Sequence, residues 1–263
     1  MEDEKKTFTG MKENHIEGRN AVLEAFRSGK TIDKLYVLDG CQDGPVRSIT
    51  REARKHDTIV NYVTKERLDQ ISETGKHQGV IAVSAAYDYA RVEDILALAE
   101  KKGEPPFILI LDGIEDPHNL GAIIRTANQA GAHGVIIPKR RAVGLTPTVA
   151  RTSAGAVNYV PVAKVTNISN TMKELKDRGM WFVCADMDGT LMYDMDLTGP
   201  IGLVIGNEGD GVSPLVKKNC DMVASIPMKG DIDSLNASVA AGVLSYEIVR
   251  QRMKTVSYTH LTL

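Results

Sequence analysis

Short apolar runs recur along the chain, and each opens into a polar loop followed by a stretch with helical spacing. In the second half these runs lie at 107–111, 134–138, 160–162, 181–185, 201–205 and 223–227. Runs of this length, bounded by turn residues, predict buried strands. Strands that alternate with helices favour an α/β fold with a mostly parallel sheet, here of about six strands, covered on both faces.

The first part of the chain repeats this alternation on a smaller scale. Strands are predicted at 34–38, 59–63 and 80–85, and helices from His15 to about residue 29, at 46–56 and at 65–71. This alternation of strands and helices predicts a small α/β domain over residues 14–85.

A break in the pattern separates the two parts. A predicted helix at 90–102 runs into Gly103-Glu104-Pro105-Pro106, a combination typical of linkers, so residues 86–106 are interpreted as a linker and 107–253 as the second domain. Residues 1–13 are polar and predicted to be flexible. Residues 254–263 continue no pattern and are predicted to be unstructured.

Composition narrows the class of protein. The 263 residues carry a formal net charge of −2, which argues against a polycation that coats nucleic acid but leaves room for local basic patches. The three cysteines form no CxxC pair, so neither a disulfide framework nor a zinc site is indicated. The N-terminus lacks an apolar segment, and no apolar run is long enough for a membrane span, so we expect a cytoplasmic protein.

Common nucleotide-binding and hydrolase motifs are missing from the sequence. GxGxxG, GxxxxGK[ST], GxSxG and HExxH do not occur. One stretch, Asp186–Thr190 (DMDGT), is similar to the aspartyl-phosphate motif of haloacid dehalogenase-type, Mg²⁺-dependent phosphatases. That motif belongs on the first strand of its fold, whereas this stretch follows about the fourth strand of the second domain. An acidic β-turn with Gly189 at the bend is therefore favoured.

Three polar blocks follow predicted strands of the second domain. Their candidate residues are Asn119 with Arg125, Asn207 with Glu208, and Ser234 with Asn236. Singly, each residue could be a helix cap, a turn residue or a surface ion-pair partner. Together they indicate a functional site, because the carboxyl ends of parallel strands are where such sheets place their ligands.

The segments NLGAIIRTA, VIGNEGDGVS and IPMKGDIDSLNASVAAGVLSYE resemble the three motifs of the SpoU (TrmH-type) class of SPOUT RNA 2′-O-ribose methyltransferases. The resemblance covers about 107–252. Residues 14–85, with EGRNAVLEAF and an HQG loop, resemble the substrate-binding domain of the ribosomal-protein-L30e type that many members carry. The two-domain layout most resembles the RlmB type, whose members methylate a guanosine ribose in large-subunit rRNA.

The resemblance implies a fold and an assembly. The family fold contains a deep trefoil knot near the C-terminus, formed by the second and third motif segments, which the strand pattern cannot predict. Family members are homodimers whose sites lie near the interface. The small-residue helix from Ala237 to Arg252 suits close packing there.

The resemblance also implies the roles of individual residues. The catalytic set comprises Asn119, Arg125, Glu208, Ser234 and Asn236. The methyl donor is S-adenosylmethionine (AdoMet), held by backbone groups of Gly206, Ile226 and Leu235, with Met228 and Leu203 as apolar walls. Arg125 would stabilise the alkoxide that develops from the ribose hydroxyl or, in a perturbed state, take its proton. No metal is required, because the sulfonium already activates the methyl group.

RNA contacts are expected from basic segments. The candidates are a loop of Lys76, His77 and Gln78, a run of Lys139, Arg140 and Arg141, and the basic helix at 46–56. The expected substrate is a guanosine of 23S rRNA. The alternatives are a tRNA ribose methyltransferase, an antibiotic-resistance rRNA methylase, a catalytically idle RNA-binding or ribosome-assembly factor, and the Mg²⁺-dependent phosphatase suggested by Asp186 and Asp188.

Overall fold

The computed structural model describes residues 14–232 and 234–259, with side chains through residue 253. The described chain forms two compact units: one holds residues 14–88 and Gly144–Thr148, and the other holds Tyr89–Val143 and the chain from Val149 onward. The expectation of a flexible segment at 1–13 lies outside the described residues. No helix within them is long and apolar enough to cross a membrane.

The first unit is a four-stranded mixed sheet with three helices. Its elements are β1 (His15–Glu17), α1 (Arg19–Arg27), β2 (Ile32–Leu38), α2 (Gly44–Lys55), β3 (Ile59–Val63), α3 (Lys65–Ile71) and β4 (Val80–Ser84). The strand order is β1-β4-β2-β3, with β2 and β3 parallel and β4 antiparallel to both of its neighbours. The predicted helix start at His15 is wrong, because residues 15–17 pair with β4 and Gly18, at φ +90°, breaks the chain direction before α1.

Helix α2 shows how the sequence sets one face against the core. Asp43 caps it, since its carboxylate accepts a hydrogen bond from the Val46 N–H at 3.1 Å. Val46, Ile49 and Ala53 are buried against the sheet. At about 100° per residue, positions 47, 51 and 54 fall on the opposite face.

The second unit is built on a six-stranded sheet. Its elements are α4 (Val92–Lys102), β5 (Phe107–Asp112), α5 (Pro117–Gln129), β6 (Gly134–Pro138), α6 (Pro147–Thr152), β7 (Val162–Val165), α7 (Ile168–Lys176), β8 (Trp181–Leu191), β9 (Ile201–Gly206), α8 (Pro214–Lys218), β10 (Met222–Ser225) and α9 (Ala237–Thr259), with two short 3₁₀ turns at Ala156–Asn158 and Met192–Asp194.

The predicted parallel sheet is confirmed. Its order is β10-β8-β9-β5-β6-β7, and every neighbouring pair is parallel. The central strand β5 is apolar and buried from Phe107 to Leu111, as expected for a strand covered on both faces. Strands β5 and β9 are adjacent in the sheet and parallel. Their last residues, Asp112 and Gly206, are therefore direct neighbours.

Two boundaries in this unit differ from the sequence-based expectation. The sequence pattern predicts a helix from Ala122 to Ala130, whereas α5 begins at Pro117, because Asp116 caps it and the fixed φ of a proline at the first position suits a helix. Helix α9 continues through Thr259, so the prediction that residues 254–259 are unstructured is wrong, and residues 260–263 lie outside the described range. The implied trefoil knot stays a prediction.

Strand β8 also departs from the expected turn at Asp186–Gly189. It pairs with β10 at Cys184 and again at Thr190, where the ladder register shifts, so the five residues 185–189 bulge out between these points. A Cβ on Gly189 would lie 2.5 Å from the Val223 carbonyl oxygen, so the bulge can return to the ladder only with glycine there.

Candidate active site

Three side chains from three different strand ends meet in one hydrogen-bonded cluster. The Asn119 Nδ2 donates to Glu208 Oε1 at 2.9 Å. The Asn236 Nδ2 donates to Asn119 Oδ1 at 3.0 Å and also to Glu208 Oε1. Asn119 follows β5, Glu208 follows β9 and Asn236 follows β10, so the structure brings together one member of each polar block.

Each amide in the cluster is oriented by the start of a helix. Asn119 lies in the first turn of α5, whose cap is Asp116, with a 2.8 Å bond from the His118 N–H. Asn236 itself caps α9, because its Oδ1 accepts from Ser238 N–H at 2.9 Å and Val239 N–H at 3.4 Å. Its Nδ2 therefore points away from the helix, toward the other two members.

Glu208 sits on a loop that is held by backbone donors. The Asn207 Oδ1 accepts from the N–H groups of Gly209 at 3.0 Å and Asp210 at 2.6 Å, which folds residues 207–211 into a tight turn. The Asp112 carboxylate accepts from Ser213 N–H at 2.8 Å and ties the far side of this turn to the end of β5. Sequence reasoning singled out neither contact, although Asp112 directly follows a buried strand.

A pocket of about 350 Å³ opens beside the cluster. Predicted cofactor or catalytic residues on its wall are Gly206, Glu208, Ile226, Met228, Ser234 and Leu235. Leu203 is not among them: it is 1 % exposed in the middle of β9, paired with Leu109 and Val183. The prediction that Leu203 forms a wall of the pocket is therefore wrong, because the strand reaches the pocket only at its carboxyl end.

Glycine at position 206 is required by a close approach of two backbone segments. A Cβ there would lie 2.0 Å from the Gly211 carbonyl carbon and 2.2 Å from the Val212 nitrogen. Such contacts cannot be relieved by a side-chain movement, because the opposing atoms belong to the turn that carries Glu208. The floor of the pocket is thus bare backbone.

The lining of the pocket is acidic. Asp186 in the β8 bulge and Asp210 join Glu208 among the lining residues, and none of the described lining residues is basic. Lys217, outside the lining, lies 2.6 Å from the Asp186 carboxylate and holds it by a hydrogen bond that keeps its pKa below the usual value. The sequence motif around Asp186 therefore contributes to this pocket.

Arg125 is not part of the cluster. It lies six residues after Asn119 on α5, about 120° further around the helix, and its exposed side chain lines a separate pocket. The structure thus brings together Asn119, Glu208 and Asn236, places Ser234 on the cofactor-sized pocket, and leaves Arg125 on another face.

The predicted RNA-contacting loop has one member in a structural position. His77 is 7 % exposed, with Nε2 2.9 Å from Asp69 and Nδ1 accepting from Gly79 N–H at 3.0 Å. One ring nitrogen is bound by α3 and the other by the loop backbone, so His77 shapes the loop and does not face a ligand. Lys76 and Gln78 are exposed, and Gln78 also accepts from the Arg19 backbone N–H at 3.2 Å.

The second predicted basic segment follows β6. Arg140 and Arg141 are exposed, and Arg141 has a positive φ of 54°. The Lys139 backbone N–H continues the ladder to Val165 at 2.8 Å. The segment remains a candidate RNA contact.

The phosphatase alternative is not supported by the geometry. Asp186 is committed to the pair with Lys217, and Asp188 donates its backbone N–H to the Asp186 Oδ1 at 3.2 Å. Within residues 14–232 and 234–253, no group of three or more His, Cys, Asp or Glu side chains is arranged to hold a metal ion.

Two sequence profiles match the chain. The profile of the SpoU rRNA Methylase family matches residues 106–246, and the profile described as RNA 2′-O ribose methyltransferase substrate binding matches residues 15–90. The chain belongs to the SpoU methylase family. A similar protein of Bacillus subtilis, YacO, provisionally named a TrmH family tRNA/rRNA methyltransferase, is 48 % identical over 91 % of this chain and 96 % of its own.

Solved structures agree with this assignment. The SpoU methyltransferase AviRb from Streptomyces viridochromogenes, determined with AdoMet, is 28 % identical with a TM-score of 0.59, over 91 % of this chain and 90 % of its own. An AdoMet-bound rRNA methyltransferase from Sinorhizobium meliloti is 26 % identical with a TM-score of 0.56, over 90 % and 86 %. The chain is an RNA methyltransferase whose cofactor is AdoMet.

The pocket suits this cofactor. Its volume falls within the range of small-molecule pockets, roughly 300–1,000 Å³. AdoMet carries a sulfonium and an ammonium group, and the carboxylates of Asp186, Glu208 and Asp210 supply negative charge on the wall. The bare backbone at Gly206 lets a flat adenine ring approach main-chain groups directly.

We expect Gly206→Ala to weaken AdoMet binding by at least about tenfold, or about 1.4 kcal/mol, because the new Cβ forces the 206 and 211 backbones apart. Isothermal titration calorimetry with AdoMet measures this directly.

Gly199→Ala is the matched control, since a Cβ at Gly199 meets nothing within 4 Å. Equal affinities for wild type and Gly206→Ala would contradict the placement of AdoMet in this pocket.

Proposed function

We propose that the protein is a ribose 2′-O-methyltransferase that modifies a guanosine of 23S rRNA. The observation that carries the proposal is the Asn119–Glu208–Asn236 cluster at the mouth of the AdoMet pocket, joined to a substrate-binding unit of the ribose-methyltransferase type. Bound AdoMet supplies an activated methyl group, and the protein has to position a ribose hydroxyl and manage its proton.

Positioning is the task assigned to the cluster. The Glu208 carboxylate accepts hydrogen bonds from two amides at once, so its direction is fixed before any ligand arrives. Asn119 has its Oδ1 engaged with Asn236, which fixes the second amide as well. Ser234 on the pocket wall offers a hydroxyl that can donate to or accept from a ribose oxygen.

Charge stabilisation is the task assigned to Arg125. Within the described part of the chain its guanidinium has neither a hydrogen bond nor an ion pair, so it is free to bind a developing alkoxide. Because Arg125 leaves α5 on a different face from Asn119, the complete catalytic set is proposed to form only when RNA and a second copy of the chain are present.

A homodimer is proposed from the surface of α9. Val239, Tyr246 and Met253 are 49 %, 50 % and 67 % exposed, and their spacing of seven residues aligns them in one stripe. Ala241, Leu244 and Ile248 are buried on the opposite side of the same helix. A stripe of large apolar side chains left exposed on a helix whose opposite side is buried is typical of a face that packs against another copy.

RNA binding by the first unit is proposed for a groove on α2. The groove has a volume of about 510 Å³ and is lined by Arg47, Arg51, Arg54 and the 55 % exposed Tyr62. Three guanidinium groups on one helix face suit phosphates, and an exposed aromatic ring suits a splayed base.

The alternatives within the family differ in their substrate, which is either tRNA or rRNA. Relatives are named for tRNA and rRNA together, whereas the two-domain layout favours large-subunit rRNA. The test is transfer of a labelled methyl group from AdoMet to unmodified 23S rRNA and to unmodified bulk tRNA, with EDTA present. Label in 23S rRNA at an alkali-resistant guanosine supports the proposal, and label confined to tRNA overturns it.

In the same assay we expect Arg125→Ala to lower methyl transfer by at least about 100-fold while leaving AdoMet affinity unchanged. Arg178→Ala, which removes an exposed arginine outside both pockets, is the control. Wild-type turnover by Arg125→Ala would remove Arg125 from the catalytic set.

The α2 groove predicts a salt effect. In the double variant Arg47→Ala/Arg51→Ala we expect weaker RNA binding, with the slope of log affinity against log salt reduced in magnitude by about 1.4 to 1.8. Filter binding of 23S rRNA at several salt concentrations measures the slope. Arg27→Ala/Lys30→Ala removes the same charge from the end of α1, and an equal change in both variants would argue against a specific groove.

The α9 stripe predicts a dimer. Light scattering of the wild type should give twice the 28.6 kDa of one chain. We expect Tyr246→Glu to shift the mass toward a monomer, since a carboxylate would be buried in the interface. Leu215→Glu, at a 61 % exposed side chain of α8, is the control, and a monomeric wild type would refute the assembly.

A further inference from the structure

A second pocket lies on the face of α5 that carries Arg125. Its volume is about 240 Å³. Arg125, Asn128 and Gln129 enter it from one helix face, because residues three and four apart on a helix are neighbours. Tyr159 forms the opposite wall and Ser153 part of the floor.

The polar side chains of this pocket are available to a ligand. Arg125, Asn128 and Gln129 are exposed, and their side chains form no hydrogen bond or ion pair with any described residue. Each amide offers two donors and a carbonyl acceptor in one plane. That combination matches the edge of a nucleobase, which presents donors and acceptors side by side.

The aromatic wall is exposed without a packing partner. Tyr159 is 76 % exposed, the highest value among the large aromatic side chains whose exposure is described. It is placed by a sharp turn in which Ala154 and Gly155 both have positive φ, of 50° and 83°. A left-handed alanine is energetically unfavourable, and such geometry persists where the surrounding structure fixes it.

The floor of the pocket is rigid. Ser153 is fully buried, and its hydroxyl donates to the Ala150 carbonyl at 2.9 Å. Thr152, the residue before Ser153, packs closely against Gly121 of α5. A Cβ on Gly121 would lie 1.9 Å from the Thr152 Oγ1. The turn that carries Tyr159 is thus locked against the helix that carries Arg125, and the width of the pocket is fixed before a ligand enters.

We propose that this pocket receives the unstacked base of the nucleotide to be methylated, with Tyr159 stacking on the base and Asn128 and Gln129 reading its edge. The inference rests on the proposed ribose methylation, in which Arg125 meets the ribose of that same nucleotide. A base attached to this ribose has to lie within one sugar's reach of Arg125, and the pocket is the concave surface found there. Asn128, Gln129 and Tyr159 are thereby specificity residues of the reaction.

The kinetic test uses whichever RNA the wild type methylates, 23S rRNA or bulk tRNA. We expect Tyr159→Leu to lower kcat/KM for RNA roughly 5- to 150-fold, the loss that corresponds to removal of one stacking partner, with AdoMet affinity unchanged. Tyr159→Phe keeps the ring and restores most of that loss. Trp181→Leu is the control, since Trp181 is a 56 % exposed aromatic outside the pocket.

Specificity gives an independent readout. We expect Asn128→Ala and Gln129→Ala to reduce the discrimination between the natural RNA and transcripts in which only the target base is replaced. A merely structural role would lower both rates in parallel. Parallel loss in both variants, or Tyr159→Leu kinetics equal to those of the wild type, would overturn the proposal while leaving the methyltransferase activity standing. The proposal would also be overturned if these three variants changed the oligomeric mass of the protein but left its RNA kinetics unchanged.

The pocket can also be examined without turnover. The probe is RNA with 6-thioguanosine at the target position, crosslinked to the wild type by light and mapped by mass spectrometry. An adduct in the peptide that contains Tyr159 supports the proposal, and adducts confined to other peptides overturn it. If the wild type methylates neither RNA, the proposed function fails, and crosslinking of both RNAs transcribed with 6-thioguanosine in place of guanosine throughout still decides whether the pocket holds a base.

Discussion

The bond from the Asn236 amide to Glu208 joins the longest helix of the protein to its candidate active site. The same side chain caps α9 through its Oδ1 and donates to the cluster through its Nδ2. An N-cap of this kind contributes about 1 kcal/mol to helix stability, and its geometry fixes which way the amide points. The Glu208 carboxylate is therefore oriented by a helix start, an element that the fold has to form in any case.

The pocket beside the cluster depends on a second constraint, the close approach of backbone to backbone. At Gly206 and Gly189 a single methyl group would overlap main-chain atoms of a neighbouring segment. These contacts bring the β9 loop and the β8 bulge to the rim of the same cavity, where Asp186 and Glu208 face it. A site made this way recognises its ligand largely through main-chain groups, so it needs no glycine-rich phosphate signature in the sequence.

Sequence pattern predicted the sheet well because its strands are buried on both faces and therefore read as continuous apolar runs. It failed where burial gives no such signal. The strand at His15–Glu17 is short and only partly buried, so the helical spacing that begins after Gly18 extended backward over it. The antiparallel direction of β4 could not be predicted either, since the sequence of a strand does not indicate whether its neighbour runs parallel or antiparallel to it.

For the site, the sequence located the strand ends but not the directions of the side chains. Asn119, Glu208 and Asn236 meet as the three polar blocks suggested, because all three follow carboxyl ends of strands in one sheet. Leu203 lies two residues before Ile205, where β9 first reaches the pocket, and is therefore inside the sheet. His77 looked like an RNA contact, yet its bond with Asp69 is a tertiary feature that no local pattern contains.

Helix α5 separates two tasks on a single rigid element. Asn119 belongs to the cluster beside the first pocket, while Arg125, Asn128 and Gln129 leave the helix about 80° to 180° away from it and line the second pocket. Because Asn119 and the other three side chains lie on the same helix, the distance between the two pockets is set by the helix and not by a flexible loop. Substitutions at positions 128 and 129 can then change what is recognised without disturbing the hydrogen bonds of Asn119, which is the arrangement expected of a family that applies one chemistry to different RNAs.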